Sequence, residues 1–79
     1  MKERAVFENL LNEYQKTFLD CDSIAREAYN GGQTAVYHKN HREALKAMAA
    51  RDALERAAKS CDLKVYFNAL TGFYTVERH

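Results

Sequence analysis

The stretch Leu63-Lys64-Val65-Tyr66-Phe67-Asn68-Ala69-Leu70-Thr71-Gly72-Phe73-Tyr74-Thr75-Val76 decides the fold class. Leu63, Val65 and Phe67 alternate with Lys64, Tyr66 and Asn68, a period of two that a strand produces and a helix does not. A second β-prone run, Phe73 to Val76, follows a turn of four or five residues that ends at Gly72, where a positive φ is usual as the second strand begins. The expectation is a β-hairpin over residues 63–78. Leu63, Val65, Phe67, Tyr74 and Val76 should face a core, with Tyr66, Phe73 and Thr75 on the other side.

Upstream of Leu63 the period lengthens. From Thr34 to Ser60 there is neither Gly nor Pro, and Ala44, Ala47, Ala49, Ala50, Ala53, Ala57 and Ala58 are strong helix formers, so residues 34–60 are predicted as one helix. Asp52/Arg56 and Glu55/Lys59 place the acid one turn before the base, worth about 0.3 kcal/mol each, and mark solvated positions. The apolar residues divide between two sides: Tyr37, Ala44, Leu45 and Met48 on one, and Ala50, Leu54, Ala57 and Cys61 nearly opposite. The alanine side should admit another helix backbone.

Further upstream, Phe7, Leu11, Tyr14, Phe18, Cys21, Ala25 and Ala28 recur at alternating steps of four and three, widened by Leu10 and Ile24. This predicts a helix over residues 3–30, with a kink compatible with the capping residues Asp22 and Ser23. Asn30-Gly31-Gly32 ends it, because Gly supplies the left-handed residue that satisfies the last carbonyls. The order is thus ααββ, an α+β fold in which a helical hairpin carries a C-terminal antiparallel ribbon in a single domain, residues 1–79.

A chain of 79 residues, 47% hydrophobic and 29% charged, is composed to fold and is too short for a second domain. Its net charge of +1 gives no strong steering toward nucleic acid. Cys21 and Cys61 are too few for a disulfide framework, lie in no Cys-x-x-Cys motif, and are expected to be reduced and mostly buried. A domain this small buries only about 60% of its unfolded surface. Both strands of a two-stranded ribbon also present unpaired edges, so a homodimer that extends the sheet to four strands is expected. No run approaches the ~20 apolar residues of a membrane span. The start, Met1 to Leu11, contains acids and no small-residue cleavage site. A cytoplasmic protein without a membrane partner is expected.

Catalysis is not expected. The P-loop, G-x-G-x-x-G, G-x-S-x-G and H-E-x-x-H patterns are all missing from the sequence. Nothing places Cys21 or Cys61 beside His38 or His41. His38 and His41, three apart, share a helix face that suits a divalent ion, yet a zinc site takes at least three protein ligands and Cys21, Cys61 and His79 stand at no motif spacing. Neither a metal nor a cofactor is expected.

Binding to another protein is the expectation that survives. Lys39, Arg42 and Lys46 form a basic strip beside Tyr37 and His38, in a helix with six basic and three acidic side chains, a net +3. Residues 1–31 carry six acids against four bases, so the strip either pairs with the first helix or faces a partner. Five tyrosines and four phenylalanines are too many for so short a chain to bury, which makes Tyr66 and Phe73 the expected anchors on the ribbon's outer face. The expected protein-binding residues are therefore Tyr37, His38, Lys39, Arg42, Lys46, Tyr66 and Phe73.

The expected function is a non-enzymatic interaction module. It would be a dimeric adaptor, or a phage- or mobile-element-encoded stoichiometric inhibitor that occludes a larger host machine such as a defence complex; size and architecture suggest that origin. The alternative is a dimeric nucleic-acid-binding regulator using the basic face of the second helix. The sequence has no zinc-finger, RNP or GXXG pattern, and the helices are too long for a helix-turn-helix.

Overall fold

The computed structural model describes residues 2–78. It has the expected ααββ order: α1 (Lys2–Asn30), α2 (Thr34–Ser60), β1 (Leu63–Asn68) and β2 (Phe73–Arg78). α1 is one helix through Asp20–Ser23, without a new start at the possible caps. Its end is closed by a pair of backbone bonds, Gln33 N–H to Ala28 O (2.8 Å) and Gly32 N–H to Tyr29 O (3.3 Å), with Gly32 at φ 73°. That Schellman closure satisfies carbonyls the helix leaves orphaned and turns the chain back sharply, so α2 returns alongside α1. α2 ends differently, on Asp62 at φ 59°, a left-handed position that Asp tolerates better than most residues.

Two seams differ from the sequence reading. On α1 the buried series runs through Leu11, Gln15, Ala25 and Ala28, with Phe7, Phe18 and Cys21 half-buried, so Gln15 takes the inward place assigned to Tyr14. On α2 there are not two opposed sides but one seam. Tyr37, Asn40, Ala44, Ala47, Arg51, Leu54 and Ala58 step by three and four and are all buried or half-buried, whereas Leu45 and Ala57 are exposed. The polar members Asn40 and Arg51 interrupt the apolar pattern and hide its continuity. Cys61 is exposed and Cys21 half-buried, because Cys61 follows the last turn of α2 and lies outside the seam.

β1 and β2 pair antiparallel in the register Val65↔Val76, Tyr66↔Thr75 and Phe67↔Tyr74. The inward set is the expected one, and Leu63 and Val76 join Leu11 and Ala58 as the core cluster, flanked by Phe7, Leu54, Val65 and Tyr74. The turn is held by Gly72 N–H to Asn68 O (2.8 Å), by Leu70 N–H to Asn68 Oδ1 (2.9 Å), and by Gly72 at φ 78°. Phe67 is the exception on the inward face. It touches Tyr74 (ring centroids 5.2 Å apart) but is 53% exposed and lies outside the set packed on the core cluster.

The expectation of two open strand edges holds for only one. Along α1, Arg4, Glu8, Asn12 and Gln15 step by four, four and three beside the outer edge of β2. Asn12 Nδ2 donates to Tyr74 O (3.0 Å), and Tyr74 N–H donates back to Asn12 Oδ1 (2.7 Å). Val76 N–H donates to Glu8 Oε1 (2.9 Å), while Arg4 Nη1 donates to Val76 O (3.0 Å). Gln15 Nε2 donates to Gly72 O (2.9 Å). Side chains of a helix thus occupy the backbone groups that a third strand would take, and β2 is sealed.

Gln15 also accepts from Arg51 Nη1 (2.8 Å), and the Arg51 guanidinium lies 5.3 Å from the Phe18 ring centroid and 6.0 Å from that of Tyr74. The charge is thereby held in the seam by hydrogen bonds and aromatic faces. Burial pushes the Tyr74 hydroxyl above its ordinary pKa of 10.0, with Arg51 pulling the other way. A raised folded pKa means that the folded state favours the neutral phenol, so stability is intact below pH 10.0 and declines as pH rises beyond it. Urea midpoints measured on either side of that pH should fall more for the native chain than for Tyr74→Phe.

Candidate interaction surface

The other edge of the ribbon is open. Tyr74 and Val76 spend their N–H and C=O groups on α1, which makes Phe67↔Tyr74 and Val65↔Val76 the non-hydrogen-bonded pairs of the ladder. The N–H and C=O groups of Val65 and Phe67 consequently point away from β2. Among the described residues no side chain or loop bonds them. A hollow of about 370 Å³ lined by Lys59, Leu63, Lys64, Val65 and Tyr66 runs beside this edge, so it is accessible from outside.

Large apolar side chains surround that edge. Tyr66 is 47% and Phe73 37% exposed on the outer face, where the register sets them diagonally across the ribbon, and Leu70 at the tip of the turn is 98% exposed. With Phe67 they give a small two-stranded element four exposed large hydrophobic residues. Isolated apolar side chains on a surface are ordinary, but a cluster on one ribbon is the pattern of an interface.

The remaining expected residues lie elsewhere. Tyr37, His38, Lys39, Arg42 and Lys46 occupy the first half of α2, beyond the core cluster that seats the ribbon. From Lys46 to Lys59, which borders Tyr66, the helix rises about 20 Å, so the basic strip and Tyr66 do not form one site. The strip is not neutralised by α1. Among the described residues every ion pair lies within one helix, Lys46 reaching Glu43 (3.5 Å) and Lys59 reaching Glu55 (3.4 Å), while Lys39 and Arg42 have no carboxylate partner. Asp52 bonds Arg51 (3.4 Å) rather than the expected Arg56.

Tyr37 organises the helical tip. Its ring meets Tyr29 edge-on at 5.4 Å, stacks with His38 at 5.3 Å and meets His41 at 5.4 Å. An open hollow of about 400 Å³ beside it is bordered by Asp22, Ala25, Arg26, Tyr29 and His41, and its one close charge pair, Arg26 with Asp22 (3.0 Å), is already made. Among the described residues no three His, Cys, Asp or Glu side chains converge to hold a metal ion. No described helix is long and apolar enough to cross a membrane.

Strand parity puts Tyr66 and Phe73 on the outer face, and the expected open edge is found on β1, but the side chains that seal β2 do not follow from the pattern of either strand. Their signal was present: Asn12 and Gln15 carry both donor and acceptor, and they fall at helical spacing with Arg4 and Glu8 directly beside the apolar seam. No protein family, curated protein or solved structure matches this chain.

Proposed function

We propose that this protein is a small non-catalytic interaction module that docks on another protein through its β-hairpin. The observation that carries the reading is the group Tyr66, Leu70 and Phe73, all exposed on the outer face and tip of a ribbon whose β2 backbone is held by α1. Tyr and Phe on a stiff support give large buried area for little lost entropy, which is what interface anchors need. In its finer form the reading is a stoichiometric inhibitor, encoded by a phage or mobile element, that blocks a host complex such as a defence machine by occlusion. A shape of 47 × 22 × 15 Å suits that role, since occlusion asks for bulk and a docking surface rather than a reactive centre.

The test is capture from host lysate by tagged native chain and by the triple variant Tyr66→Thr, Leu70→Ser, Phe73→Thr, with β-branched replacements in the strands to preserve their propensity. Recovery of the partner should fall at least about 30-fold, equivalent to roughly 2 kcal/mol, while the melting temperature stays close to native. Undiminished capture by the triple variant overturns the hairpin as the docking surface.

A second reading rests on the unpaired, exposed Lys39 and Arg42 beside Tyr37, which suit phosphate contacts from a nucleic acid. Arg42→Glu with Lys46→Glu should leave thermal unfolding nearly unchanged, because neither residue pairs with α1 and the Lys46–Glu43 pair that the change breaks is exposed. For a nucleic-acid regulator, log affinity should fall linearly with log salt concentration, by about one unit of slope per phosphate contact. Binding that ignores both the charge reversal and salt assigns the strip no role.

A further inference from the structure

We propose that β1 pairs antiparallel with β1 of a second copy, about a two-fold axis through Tyr66, to make a continuous four-stranded sheet β2-β1-β1-β2. The first argument is exclusion. α1 occupies the outward groups of Tyr74 and Val76 on β2, so the N–H and C=O groups of Val65 and Phe67 on β1 are the ones still able to accept a strand.

The second argument is self-complementarity. About Tyr66, Val65 of one copy falls opposite Phe67 of the other, and these are the residues whose backbone groups point outward, so the two Val65–Phe67 pairs form four hydrogen bonds. On the inner face those pairs extend the row of Val76, Val65 and Tyr74 and cover Phe67, the inward-facing aromatic that the monomer leaves 53% exposed. On the outer face Tyr66 meets Tyr66, and Lys64, the only charged residue of β1, falls opposite Asn68 while keeping Glu77 as its neighbour on β2. No like charges face each other. A register shifted by one residue, centred on Val65, brings the two Lys64 side chains diagonally together and is disfavoured. A further consequence is a band across the joined sheet, running Phe73, Tyr66, Tyr66, Phe73, which doubles the outer aromatic surface.

The purified chain alone tests this, whatever foreign protein the hairpin binds. Sedimentation across micromolar concentrations should show a dimer. Cys61 is a natural junction for joining a synthetic peptide of residues 61–79 to residues 1–60, which allows a single N-methyl group at the Phe67 amide. That group removes an outward donor, leaves the Tyr66↔Thr75 and Asn68↔Phe73 bonding pairs intact, and should raise the dissociation constant at least about tenfold. Phe67→Lys places a charge on the joined inner face at a side chain already half exposed, and should give the same loss without altering the backbone. With Cys21 and Cys61 changed to Ser, Tyr66→Cys should oxidise to a covalent dimer, since residues in a non-hydrogen-bonded antiparallel pair are about 4.5 Å apart at Cα, within disulfide range. A native chain that stays monomeric, a dimer indifferent to both Phe67 changes, or a Tyr66→Cys chain that fails to cross-link overturns the proposal.

Discussion

Leu11→Ala should lower the unfolding free energy by about 3 kcal/mol, within the range for a fully buried leucine, and the melting temperature by roughly 12–24 °C for a domain of this size. Leu11 has no exposed surface and sits in the cluster with Ala58, Leu63 and Val76, where both helices meet both strands. Two features keep the cost from relaxing away. Across from it is Ala58, also fully buried, whose methyl group cannot swing into the vacated space. The ribbon above is tied to α1 by bonds from Glu8 and Asn12, so it cannot settle into the gap without breaking them. Ile24→Ala removes as much hydrocarbon from the same helix but from a side chain 45% exposed, and should change stability by about 1 kcal/mol or less. Thermal unfolding followed by circular dichroism separates the two. If the variants lose similar amounts, the core is not centred where the helices and ribbon meet.

Much of this architecture was legible because each element announces itself by period. The alternation from Leu63 to Asn68 and the breaker-free run from Thr34 to Ser60 are local signals, and local physics decides them. The two seams were legible only in part, since a polar residue can lie inward when a partner awaits it. Gln15 is 3% exposed because Gly72 O and Arg51 take both ends of its amide, and Arg51 lies inward because Gln15, Phe18 and Tyr74 receive it. Those partners are 36 and 57 residues from Gln15 in the chain, so no window of neighbouring sequence contains the reason. The candidate surface divides in the same way. Tyr66 and Phe73 follow from strand parity alone, whereas the difference between the sealed edge of β2 and the open edge of β1 depends on where α1 lies.

That difference sets the second large effect. Asn12→Ala should cost about 1.5 kcal/mol net, because Tyr74 N–H and Tyr74 O each lose a hydrogen bond worth roughly 1 kcal/mol and a partly covered strand gives water poor access to replace them. The better helix propensity of Ala returns about 0.5 kcal/mol of the loss. Lower stability is the smaller consequence. Removing Glu8 together with Asn12 frees Tyr74 N–H, Tyr74 O and Val76 N–H, and the ribbon then has two edges with backbone groups able to accept a strand. One open edge can close only on its own kind, giving a pair and stopping; two open edges of different sequence join head to tail and need not close. The double variant Glu8→Ala with Asn12→Ala should therefore form species that grow with concentration, and light scattering at temperatures well below its melting transition should detect them. Adding Phe67→Lys, which blocks β1, should return the protein to a finite size. If the double variant is destabilised but stays as small as the native protein, the side chains of α1 serve the fold alone and do not limit assembly.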